Sequence, residues 1–219
     1  ITNDSRSIGK MIKDSNHPAI LIVDVVSSLA CLELETDEWS VDVAVAASQK
    51  GLMLPPGLSI VAIGERAWDL YKKSKLPKWY WDYKAVRERM EGYQLPYTPP
   101  TNLFFGLKES IDILETEGLE NVWKRHELLA TAVRNAMKAM DLKLFAEEGY
   151  QSNTVTAAFM PDKIEYNDMF NLLREKYGVI ISGGLEKLQG KIFRIGHMGS
   201  IHISEIYSIL GTTAMALYE

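Results

Sequence analysis

The sequence predicts an α/β fold in two unequal units: a partial, mostly parallel sheet in a larger unit, then a small carboxyl-terminal α/β domain. Three observations carry this. Apolar runs at 19–24 (AILIVD), 41–48 (VDVAVAAS) and 58–64 (LSIVAIG) are nearly continuous, as in strands covered on both faces. Two long helical periodicities follow, interrupted at Gly118. Beyond them short strands alternate with helices in a more compact unit. The boundary is expected near residue 118, giving units 1–117 and 118–219.

The elements are expected in this order. A short helix around Ile8–Ile12 is closed by Asp14-Ser15-Asn16 and His17-Pro18, and the three apolar strands come next. "GERAWDLYKKS" opens a helix after the third strand, and an aromatic connection then runs through Pro96-Tyr97-Thr98-Pro99-Pro100. Thr101 or Asn102 is placed to cap the helix of "LFFGLKESIDILETEG", and a second long helix spans about Glu120 to Met140. The small unit reads as strand 154–160, helix 166–178, strand "VIIS", loop "GGLEKLQG", strand "KIFRIG" and a final helix from Ser204.

Composition narrows the function classes. With 24 basic against 29 acidic residues, net charge −5, the chain lacks the basic field of a nucleic-acid surface. Trp79, Tyr80 and Trp81 beside Lys75 and Lys78 resemble a base-stacking platform, but Asp82, Glu88 and Glu91 cancel its charge. The single cysteine, Cys31, excludes an internal disulfide framework and any multi-cysteine metal site, and points to a reducing compartment. His17, His126, His197 and His202 show no metal-ligand spacing. No apolar run is long enough to span a bilayer, so a soluble, cytoplasmic protein without membrane or nucleic-acid partners is expected.

Asp24 and Lys50 fall at the carboxyl ends of two of the predicted strands, the edge where open α/β sheets bind ligands. Each alone has an ordinary reading: the aspartate as a turn former, the lysine as an edge residue reaching water. Together they are the pair that an aldehyde cofactor on a pyridine ring requires. The amine condenses with the aldehyde as a Schiff base and later serves as a base, while the carboxylate keeps the ring nitrogen protonated.

Four collinear blocks extend this reading: "VDVVSS", "VDVAVAASQKGLMLPPGLSIVAIGERAW", "YTPPTNLFFGLKESIDILETEGLENVWKRH" and "GGLEKLQGKIFRIGHMG". They resemble the class V, fold-type I pyridoxal 5'-phosphate-dependent aminotransferases, in the alanine–glyoxylate and serine–glyoxylate or serine–pyruvate branch. The resemblance covers nearly the whole chain, and "SQK…PPG" is its most specific block. It implies transfer of an amino group from alanine or serine to glyoxylate or pyruvate. It implies Lys50 as the Schiff-base lysine, Asp24 at the pyridine nitrogen, Val26 against one ring face and Gln49 towards the phosphate. Thr98, with Tyr97 or Tyr93 nearby, would reach the phosphate of a neighbouring subunit's cofactor, so a homodimer with shared active sites is implied. Arg194 would hold the substrate carboxylate; His197 either tunes substrate choice or packs.

The family's phosphate-binding turn and second ring-stacking residue lie upstream of the Asp24 block, where this chain has 23 residues and no glycine-rich helix start after a strand. The chain is therefore expected to be the C-terminal portion of such an enzyme, lacking an N-terminal segment and binding the cofactor weakly alone. The alternatives are a non-catalytic fragment or subunit contributing dimer half-sites, and another class V enzyme, either a lyase or a different aminotransferase. The cysteine desulfurase branch is disfavoured, because no cysteine falls in the carboxyl-terminal unit.

Overall fold

The computed structural model describes residues 1–219. Helix α1 (Ser5–Asp14) starts where the Asp4 carboxylate accepts the Ser7 amide at 2.9 Å, satisfying one of the free donors of the first turn. Strands β1 (Ile22–Asp24), β2 (Val43–Ala47) and β3 (Ser59–Ile63) form one sheet in that order. β1 and β2 are parallel, with Asp24 opposite Val45; β2 and β3 are antiparallel. The expected mostly parallel character thus rests on β1–β2. Only a helix-free segment joins Ala47 to Ser59, too tight for the crossover that parallel neighbours need.

Buried Asp42 fixes the start of β2. Its Oδ2 accepts the Leu21 amide at 2.8 Å, and the Arg66 guanidinium lies 3.5 Å from Oδ1. The sheet is not covered on both faces, contrary to the reading of its apolar runs. Ala44 and Ala46 are buried on one side of β2, while Val43, Val45 and Ala47 on the other are half-buried. Leu29, Leu34 and Trp39, all from the β1–β2 connection, close the covered side.

Helix α2 (Glu65–Tyr71) follows β3, and α3 (Tyr83–Met90) interrupts the aromatic connection where the sequence reading placed no element. Its start is legible in retrospect, because Asp82 accepts the Lys84 amide at 3.1 Å and also the Tyr71 hydroxyl. Helix α4 (Thr101–Glu117) is not capped by Thr101 or Asn102. Pro100 occupies the cap and Thr101 is already helical, since proline's fixed φ suits the entry to a helix and leaves no amide to satisfy. Gly118, at φ +82°, separates α4 from α5 (Leu119–Ala139).

The carboxyl-terminal sheet is antiparallel, in the order β4 (Val155–Phe159), β6 (Ile192–Gly196), β5 (Ser182–Gly183). The expected "VIIS" strand is reduced to Ser182–Gly183, the two residues that pair with Arg194 and Phe193 of β6; Ile181 is buried and Ile180 exposed. The 183–190 loop holds a short 3-10 turn at Glu186–Leu188. Alternation along β6 places Phe193 and Ile195 in a core with Leu129, Val133 and Met137 of α5, Met169 and Leu173 of α6 (Tyr166–Glu175), and Ile206 of α7 (Ile203–Tyr218). A smaller cluster packs Leu52 and Leu54 against Leu114 and Val122, joining residues on both sides of Gly118. No helix is long and apolar enough to cross a membrane.

Candidate active site

Parallel pairing puts the carboxyl ends of β1 and β2 on one edge, so Asp24 and the turn after Ala47 emerge together. The Val25 amide continues the ladder to the Val45 carbonyl at 2.9 Å. Asp24 Oδ1 accepts the Val26 amide at 2.9 Å, closing an Asx turn, and Oδ2 has no protein partner. Asp24 is exposed, not buried as its apolar strand suggested, because a three-residue edge strand offers little cover; Val26 is half-buried.

The lysine turn is held by its backbone. Met53 donates to the Lys50 carbonyl at 2.9 Å, Leu54 to the Ser48 carbonyl at 3.1 Å, and Ser110 Oγ of α4 to the Leu52 carbonyl at 2.6 Å. Buried Ser48 Oγ donates to Pro55 O at 2.8 Å and accepts the Leu58 amide at 3.1 Å, which closes the Pro55-Pro56-Gly57 turn. Gly51 has no room for a side chain: a Cβ there would lie 2.1 Å from Leu29 O and 2.7 Å from Cys31 Sγ. This fixed backbone presents Lys50, half-buried, with an ammonium that makes no hydrogen bond or ion pair. Gln49 beside it is exposed. Cys31 behind the turn is buried, and loss of solvent pushes its thiol pKa up against a smaller opposing pull from the Gly199 backbone and the Arg125 charge.

Arg194 lies in the middle of β6, opposite Ala157. Its Nε donates to Gly183 O at 2.8 Å, which leaves both terminal nitrogens free to fork onto a carboxylate. With Ala157, Val155, Leu185 and Ile192 it lines a cavity of about 300 Å³ on the sheet face away from the helical core. Arg134 lines the same cavity, a second cation without a carboxylate partner that the sequence reading missed. Desolvation holds its pKa below the ordinary guanidinium value.

Tyr97 and Thr98 lie in the connection between α3 and α4. Both are exposed; the Tyr97 hydroxyl donates to Trp79 O at 3.2 Å, and its ring meets Tyr80 edge-on at 4.7 Å.

His197 ends up inside the carboxyl-terminal unit. It is fully buried, with Nε2 at 2.8 Å from Thr156 Oγ1 and Nδ1 at 3.2 Å from Asn153 O. Burial lowers its pKa from 6.5 to about 4. A histidine that resists protonation when folded contributes stability fully above about pH 6.5, and this is lost as pH falls towards 4. That shift corresponds to about 3 kcal/mol. Urea denaturation at neutral pH and at about pH 4.5 is expected to show this loss, and His197→Gln to flatten the profile between those values.

His126, also buried, sits where α5 meets the segment after β6. Its Nδ1 bonds Val122 O at 2.7 Å and its Nε2 accepts the Gly199 amide at 3.0 Å, so it acts as the neutral tautomer with the proton on Nδ1. Desolvation is the main cause lowering its pKa. In the sequence His126 shows no metal-ligand spacing, and no local pattern announces a partner 73 positions away.

A family profile described as Aminotransferase class-V matches residues 1–209. A soluble hydrogenase small subunit from Synechococcus sp. is 37% identical over 219 residues, covering 100% of this chain and 56% of the relative. A serine–glyoxylate aminotransferase from Arabidopsis thaliana is 38% identical over 221 residues, covering 100% and 55% respectively. Among solved structures, alanine–glyoxylate aminotransferase from Nostoc sp. superposes with a TM-score of 0.89 at 27% identity, covering 96% of this chain and 56% of that one. The chain therefore spans about half the length of the relatives it matches.

Proposed function

The chain belongs to the class-V aminotransferase family, whose members use pyridoxal phosphate, and we propose that it carries the catalytic lysine of a transamination between alanine or serine and glyoxylate or pyruvate. One observation supports this most: the unpaired Lys50 ammonium and the free Asp24 Oδ2 stand at the same edge of a parallel strand pair. These residues suit the ring end of the cofactor. Asp24 would accept the proton-bearing ring nitrogen and Lys50 the aldehyde, with Val26 under the ring and Gln49 on the phosphate side.

Bound pyridoxal phosphate supplies an electron sink for negative charge developing at the amino acid's Cα. Lys50 Nζ would take the proton from the substrate's Cα, which requires an amine that is unpaired and mobile at its tip over a fixed backbone. Asp24 would keep the ring nitrogen protonated by its negative charge. The free nitrogens of Arg194 grip the substrate α-carboxylate, and the Arg194 cavity is of a size for a small amino acid.

Replacing Arg194 by lysine removes the fork but keeps the charge. We expect kcat/KM for the amino donor to fall about 10²-fold, as loss of a bidentate charge-assisted pair implies, with covalent cofactor attachment at Lys50 intact. Equal loss of attachment would mean that Arg194 supports the fold rather than the substrate.

Tyr97 and Thr98 fit the homodimer reading better than a site within one chain. Trp79, Tyr80 and Trp81, linked to Tyr97 by its hydroxyl and ring contacts, are all exposed, an aromatic surface of the kind that association covers. A partner copy there would bring Thr98 to the neighbouring cofactor phosphate. The same surface favours the second reading, a chain that contributes half-sites without turnover. Cofactor attachment at Lys50 separates the two.

A further inference from the structure

Between the Lys50 turn and the Arg194 strand lies a contact set that neither element explains alone. Arg125 Nε and Nη2 grip Glu117, the last residue of α4, at 2.6 and 2.9 Å, and Nη1 donates to Gly199 O at 2.8 Å. The next residue, His126, accepts the Gly199 amide at 3.0 Å. Adjacent residues of α5 thus hold both polar groups of one glycine, and Glu117 orients Arg125. Gly199 adopts a φ of +82°, and it lies beside the lysine turn: a Cβ there would lie 3.2 Å from Met53 Cγ and 3.6 Å from Lys50 O.

Gly199 follows Arg194 by five residues, so the two Cα atoms are within about 18 Å whatever the path between them. Lys50 O lies against one end of this segment and Arg194 is the other end. We propose that Arg125 and His126 are positioning residues which, by clamping Gly199, set the spacing between the Lys50 turn and the carboxylate-gripping Arg194. The roles of Lys50 and Arg194 rest on the function proposed above; the clamp itself rests on the contacts. Substrate held at Arg194 must present its Cα–H bond to Lys50 Nζ, and misplacement by about 1 Å can cost about 10²-fold in rate.

The test compares His126→Phe with His126→Gln in the full chain, with Arg125→Lys as an independent break. Glutamine Oε1 reaches the position of Nε2 and still accepts the Gly199 amide; phenylalanine fills the space and does not. Three readouts are needed: kcat and KM for the amino donor per folded protein, borohydride-fixed cofactor at Lys50, and hydrogen exchange at the Gly199 and Met53 amides. We expect the Phe and Lys variants to lose about 10²-fold in kcat with attachment at Lys50 kept, and to exchange both amides faster. Gln should recover most of the rate and the protection. Equal loss in Phe and Gln, or a loss accounted for by the unfolded fraction, would overturn the positioning role. If the unmodified chain shows no amino-donor turnover, the catalytic reading fails by itself, and unchanged Gly199 and Met53 exchange in Phe would then overturn the clamp.

Discussion

Replacing Lys50 by alanine is expected to abolish covalent attachment of pyridoxal phosphate and to lower transamination about 10⁴-fold or more, the upper range for loss of a positioned acid–base group. Lys50→Arg should be no better. A guanidinium keeps the charge and the reach, but it neither condenses with the aldehyde nor gives up a proton in this pH range. The substitution should leave the fold intact. The turn is fixed by Ser48, Met53, Leu54 and Ser110, all through groups other than the Lys50 side chain. Thermal denaturation of the variants checks this, with a change within about 0.5 kcal/mol expected for a side chain without partners.

Asp24 gives the second large effect, and its two oxygens allow charge to be separated from structure. Asparagine still accepts the Val26 amide, so Asp24→Asn keeps the Asx turn and loses only the carboxylate charge. We expect kcat to fall about 10²–10³-fold, comparable to losing one preorganised electrostatic stabiliser. Asp24→Ala should fall at least as far and also lose about 1 kcal/mol of stability, because the Val26 amide is left without its acceptor. If Asn retained full activity, Asp24 would be a turn former and no more.

The legible parts of the sequence were those whose cause is local. The apolar runs at 19–24, 41–48 and 58–64 each contain a strand, and the periodicities around Gly118 gave α4 and α5 to within a residue or two. The roles proposed for Lys50 and Arg194 rest on the "SQK" and "FRIG" blocks; Arg194 has two guanidinium nitrogens without a protein partner. What depends on tertiary partners stayed hidden. The antiparallel run of β3 follows from a connection too tight for a crossover, while the exposure of Asp24 follows from the shortness of its strand. Helix α3 was masked by the aromatic residues around it, although Asp82 stood at its start. Arg125, His126 and Gly199 had no shared pattern, since 73 residues separate the histidine from the amide that it accepts.

The central claim is that the strand end at Lys50 exists to hold pyridoxal phosphate. Incubating the chain with excess cofactor, reducing with borohydride and mapping the modified peptide by mass spectrometry tests it most directly. Label confined to Lys50, and absent from the many exposed lysines, is the predicted result. Label scattered over surface lysines, or none at Lys50, would contradict it.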